Sequence, residues 1–217
     1  MDLFSKFLAA LFAAFGKKPQ PTEDAPAPVP SDSFPFDEAV LARAIYVASS
    51  PKVPAAFDVA RALKAACIRY GVSKPLEVAH LIAQLAHESG GFTFTKEIWN
   101  NTPAQLRYEN HRLLGNTEPG DGKRFAGMFW VQLTGRWNHS AYAKYKSISI
   151  NELHAAYDDP ATNADVSLWY VSVNRRGFLE AANRNDIEGV TRAINGGLNG
   201  FDDRKRRYAA ISPILGV

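Results

Sequence analysis

The chain has 217 residues, 46% of them hydrophobic and 22% charged, a balance that can bury a sizeable core and excludes a wholly disordered polymer. Its net charge of +3 suits an anionic partner without selecting one. A single cysteine, Cys67, excludes an intramolecular disulfide and a thiolate zinc cluster.

Residues 7–15 are apolar throughout and follow Lys6. The run is far shorter than the roughly 20 residues that span a bilayer, so it does not read as a transmembrane anchor. Three readings of residues 1–16 stay open: an amphipathic helix that packs or lies on an anionic membrane surface, the core of a secretion signal, against which Asp2 counts, and a segment without fixed structure. Residues 17–35 hold six prolines among Ala, Asp, Glu and Ser and are expected to form a semi-extended linker. The folded domain is expected to occupy 36–217.

Apolar residues then recur at helical spacing over 38–48 and 56–70, and Gly71 is placed for the left-handed position that ends the second run. Ser73, Pro75 and Glu77 open a third helix reaching Ser89. In it Val78, Leu81, Ile82 and Leu85 make one apolar stripe, and Gly90 and Gly91 form the stop. Thr102, Pro103 and Gln105 read as the cap, first-turn proline and capping-box partner of a short helix. Residues 114–122, with Asn116, Pro119 and three glycines, are turn chemistry. A short strand or hairpin is expected over 125–134, and helices again over 140–146, 151–157, 161–173, 186–194 and 203–211.

Glu88 follows Leu85 by three residues and Leu81 by seven, at the edge of the third helix's apolar face. Partial desolvation there would raise its pKa and prepare its carboxyl to donate a proton near neutrality; pairing with a nearby Arg or Lys is the plainer alternative. Acid–base chemistry shared between two carboxyl groups needs a second acid, and Glu109 is a candidate. The five histidines lack the spacing of a zincin, so no metal or cofactor is expected. Arg204-Lys205-Arg206-Arg207 reads as a charged helix face and no nucleic-acid partner is expected. Trp99, Trp130 and Tyr108 are candidates to stack on a bound ligand's ring, with core packing as the alternative, above all for Trp169.

An ordered set of segments carries more. His87-Glu88-Ser89-Gly90-Gly91, Glu97-Ile98-Trp99, Thr102-Pro103-Ala104-Gln105, Tyr108-Glu109, Gln132-Leu133-Thr134-Gly135-Arg136 and Asn195-Gly196-Gly197 together resemble the family-19 chitinase-like glycoside hydrolases, in their phage-endolysin and bacterial muramidase-like branch. The resemblance implies a mainly α, two-lobed, lysozyme-like or chitinase-like helical domain with a small β element and a substrate cleft, acting without a metal and with inversion. Carried over, it makes Glu88 the general acid, Glu109 the base and Thr134 the hydroxyl that helps hold the attacking water. Gln132, Asn138 and Asn195 become sugar-binding amides, and His87, Arg136 and Arg204 supporting residues.

The same branch implies a peptidoglycan substrate cut between N-acetylmuramic acid and N-acetylglucosamine. It also implies a monomer made in a bacterial host's cytoplasm and acting in the periplasm or on the wall. Chito-oligosaccharide hydrolysis and a wall-binding or virion structural protein with weakened turnover are the alternatives. One departure stands out: Gly127-Met128-Phe129 replaces the family's usual Gly-Arg-Gly. Met128 brings none of arginine's donors, so a weakened support is expected that Met128→Arg with Phe129→Gly would repair.

Overall fold

The computed structural model describes residues 27–49, 55–175 and 177–217. The expectations for residues 1–16 lie outside them. A short 3-10 turn, Ser31–Ser33, precedes Phe34 and Phe36, which are both buried and meet edge to face at 6.0 Å. Val29 N donates to Ile68 O at 2.9 Å. The fold therefore starts before the expected boundary at residue 36, because Phe34 is already core.

Helix α1 (Glu38–Ala48) is capped by Asp37, which accepts from Val40 N at 2.8 Å. Helix α2 (Ala56–Arg69) closes with Gly71 at φ +68° and Val72 N bonded to Cys67 O, as the sequence signal requires. Helix α3 (Pro75–Glu88) starts at the expected proline, with Glu77 Oε2 accepting from Ser73 N and Lys74 N. Every residue from 77 to 86 is buried, so α3 is a central helix rather than one with a single apolar stripe.

Helix α4 (Pro103–Leu106) has the expected capping box: Thr102 Oγ1 accepts from Gln105 N, and Gln105 Oε1 from Thr102 N. A turn at Arg112–Leu114 and the short α5 (Asp121–Arg124) occupy the glycine-rich stretch. Then come α6 (Arg136–Lys146), α7 (Ile150–Ala155), α8 (Pro160–Trp169) with a π turn at Tyr170–Asn174, α9 (Gly177–Asn183), α10 (Ile187–Asn195) and α11 (Phe201–Leu215). Helices α1, α9, α10 and α11 pack around α3, while α2 packs on α1 and α8.

The expected β element is corrected: among the described residues only isolated bridges form, Lys96 to Met128 and Met128 to Leu133. Phe129 and Gln132 take φ of +63° and +53°, which folds the chain back too tightly for a ladder to propagate.

Two apolar clusters result. The main one surrounds α3 and includes Phe92, Met128, Phe129 and Trp130. The smaller comprises Ala104, Tyr108, Leu114 and Ala126, with Trp99 packed on it. Helices α2, α6 and α8 are also tied at a buried carboxylate, Asp165, which accepts from Arg69, Tyr70 Oη, Tyr142 Oη and the Lys146 ammonium. Burial alone would push this carboxyl up, but the Tyr142, Lys146 and Tyr70 donors outweigh it and hold it below the usual range.

Candidate active site

Glu88 is the last residue of α3, and its carboxylate faces a fully buried arginine. Arg204, from the first turn of α11, donates through Nη2 to Glu88 Oε1, through Nη1 to Gln84 Oε1 and through Nε to Asn199 O. The apolar edge expected around Glu88 is thus an ion pair, and Arg204 does not belong to a solvated charged face. Next to it His87 Nδ1 lies 2.7 Å from Asp203 Oδ2. The His87 bond first, and Arg207 second, hold the Asp203 carboxyl far below its ordinary value. A side chain at Gly200, where φ is +66°, would come within 2.1 Å of the His87 ring, so only glycine lets the loop reach it.

A cavity of about 440 Å³ opens beside Glu88, lined also by Phe94, Lys96, Glu97, Ile98 and Gln132. Glu97 is the second carboxylate in it. Its Oε1 accepts from Gln105 Nε2 at 2.9 Å and its Oε2 from Gly127 N at 3.1 Å, while its own backbone N donates to Gly127 O. The Tyr108 hydroxyl is a further partner. Burial raises the Glu97 carboxyl above its usual range, and these donors oppose the rise without cancelling it. Gln105 is fully used: its carbonyl caps α4 and its amide nitrogen reaches Glu97 and Ile98 O. The sequence carried Glu97 only as part of a motif segment, with no signal that the α4 capping residue would aim a donor at it.

Glu109 does not line the cavity. Its Oε1 accepts from Gly120 N at 2.7 Å and its Oε2 from Gly122 N at 2.8 Å, so both oxygens serve the glycine turn. A Cβ at position 122 would stand 2.7 Å from Glu109 Oε2. Arg136 belongs to the same framework, forking onto Asp121, which also accepts from Thr117 N and Glu118 N.

The remaining assignments divide. Gln132 reaches the cavity; Thr134 is buried and donates to Gln132 O at 2.9 Å, and Asn138 donates to Thr134 O at 2.8 Å. Asn195 is buried with both amide ends engaged, donating to Asn199 O and accepting from Gly197 N. Trp130 packs edge-on against Phe92 in the main core, and Tyr108 is buried beside Trp99, so neither offers a face to a sugar. Trp99 is half-buried and donates to Asn101 Oδ1. The exposed aromatic on the cavity is Phe94.

Met128 and Phe129 are core residues, with Met128 N and O both bonded to Leu133. An arginine at 128 would have to bury its charge, so the repair expected from the sequence does not fit this geometry.

No protein-family model matches the chain. A glycosyl hydrolase family 19 domain-containing protein of Haemophilus influenzae is 31% identical over 182 residues, covering 70% of this chain and 86% of that protein. The chain belongs to glycosyl hydrolase family 19. It is a glycoside hydrolase. An endochitinase of Arabidopsis thaliana is 28% identical to the enzyme over 122 residues, which is 56% of this chain and 40% of the plant protein.

Among solved structures, a chitinase C mutant superposes with a TM-score of 0.63 at 20% identity, covering 84% of this chain and 93% of its own. Chitinase C from Streptomyces griseus gives 0.58 at 19%, over 83% and 92%. These likenesses show the mainly helical chitinase-like fold. The relatives whose names state an activity are chitinases, which overturns the expected peptidoglycan substrate and, with it, the endolysin reading.

Proposed function

We propose that the enzyme hydrolyses the β-1,4 bonds of chitin and chito-oligosaccharides, with Glu88 as general acid and Glu97, rather than Glu109, as the base that activates water. The observation that carries this reading is that Glu88 and Glu97 line one cavity while Glu109 has both oxygens committed to a turn. Glu88 gives its proton to the leaving oxygen, and the permanent charge of Arg204 stabilises the carboxylate left behind. Glu97 is oriented by Gln105, Gly127 and Tyr108, and burial strengthens it as a base. Phe94 and Ile98 give the cavity apolar lining, and Gln132 brings to it an amide that can meet hydroxyl and acetamido groups. Water activated by one carboxylate while the other protonates the leaving group gives inversion.

Turnover of chitotetraose by single variants tests this. Glu88→Gln and Glu97→Gln are each expected to lower kcat by about 100-fold or more. Folded Glu109→Gln is expected to melt earlier yet keep most of its turnover. Early-time NMR is expected to show the α-anomer first. Full activity in Glu97→Gln, or its abolition in folded Glu109→Gln, overturns the assignment of the base.

A further inference from the structure

Behind Glu88 runs a chain of buried hydrogen bonds that begins on a different helix. Thr191, on α10, donates its only hydroxyl proton to Ile187 O at 2.7 Å, which leaves that oxygen able only to accept. Gln84 Nε2 donates to it at 3.2 Å. The amide can therefore point only one way, with its nitrogen toward Thr191 and its carbonyl oxygen toward Arg204 Nη1. Gln84 and Glu88 stand one turn apart on α3, so a single guanidinium spans both acceptors, while its Nε is fixed on Asn199 O at 3.1 Å. Thr191, Gln84 and Arg204 are each fully buried, so water cannot replace a missing partner.

We infer that Gln84 and Thr191 are positioning residues for hydrolysis: Thr191 fixes the Gln84 amide, the amide sets the plane of the Arg204 guanidinium, and the guanidinium aims the Glu88 carboxyl. A reversed amide would set donor against donor beside a buried cation. The inference rests on the reading of Glu88 as the general acid.

The test is steady-state hydrolysis of chitotetraose, run well below each variant's calorimetric melting temperature. Gln84→Met keeps the volume and removes the acceptor; it is expected to lower kcat on the order of tenfold or more, with KM within about twofold, because misaimed groups cost rate rather than binding. Thr191→Val is expected to lower kcat by a smaller factor, and Thr191→Ser, which keeps the hydroxyl, to recover most of it. In a Glu88→Gln background, Gln84→Met is expected to cost no further turnover, since the group it aims has lost its proton.

Unchanged kcat in folded Gln84→Met and Thr191→Val overturns the inference while leaving Glu88 in its role. An equal fractional loss with and without the Glu88 carboxyl also overturns it, by showing a purely structural effect. Failure of the wild-type enzyme to cleave chitotetraose removes the proposed function and the relay together.

Discussion

Phe94 lies on the backbone of Gly90 and is 47% exposed, with its ring facing the cavity that Glu88 and Glu97 share. A Cβ at position 90 would stand 2.8 Å from the ring, so a glycine is what lets it lie so low. Such a face suits the apolar side of a sugar. Phe94→Ala is expected to raise KM for chitotetraose roughly fivefold, equivalent to about 1 kcal/mol, with kcat nearly unchanged and Phe94→Trp close to wild type. Unchanged KM in the alanine variant would place the sugar elsewhere.

The sequence pointed instead to Trp99, Trp130 and Tyr108, and the reason is geometric. Phe92 at φ +60° turns inward onto Trp130 while Phe94, two residues on, turns outward. In an irregular loop no periodicity tells these apart. The same limit hid Glu97, whose environment depends on Gln105 and Gly127, eight and thirty residues away. The position of Glu88 at the end of α3 was legible because a regular helix fixes it.

At the scale of elements, punctuation was the readable part. Pro75, Gly71 and the Thr102 to Gln105 box all sit where their local chemistry puts them, since each is decided within a few residues. The segment 125–134 was not readable. Its conformation comes from Met128 pairing with both Lys96 and Leu133, contacts that apolar patterning alone cannot separate from a hairpin. This reverses the expectation for the Met128→Arg, Phe129→Gly pair. The first change would bury an unpaired guanidinium and the second would remove a fully buried ring, offset only in part by relief of a left-handed φ. The double variant is therefore expected to lose at least about 3 kcal/mol of stability and to be less active than the parent chain. Denaturant unfolding beside a turnover assay checks both; a stable, faster double variant would show that Met128 does weaken the site.

At the scale of the whole molecule, helical periodicity and turn signals sufficed for a helix-rich fold, but the buried polar ties between helices were invisible. Asp165 is one, and the pair His139 and His154 is another. His139 Nε2 donates to Leu133 O at 2.8 Å, so its Nδ1 carries the lone pair and accepts from His154 Nε2 at 2.8 Å. Both rings are neutral. Burial first, and the neighbouring ring second, push His139 down to about 3; burial, then Arg124 and Lys96, push His154 down to about 4. In the unfolded chain each takes up a proton near pH 6.5.

Below that pH the unfolded chain binds protons that the native chain refuses. The stabilisation from neutral burial is whole above about pH 6.5 and drains away as pH falls toward the native values. For fully buried His139 the loss is about 1.4 kcal/mol per pH unit, or about 2 kcal/mol between pH 7 and pH 5, and partly solvated His154 adds less. His80 is lowered as well and contributes to the same slope, so total acid sensitivity does not isolate the pair. A His139→Phe variant does, because His80 is common to both proteins. The variant loses the Leu133 bond and is expected to be less stable at pH 7, yet its stability should fall by about 2 kcal/mol less than wild type on going to pH 5. Parallel denaturant curves at the two pH values decide the matter: equal slopes would mean that His139 takes up its proton without leaving the core.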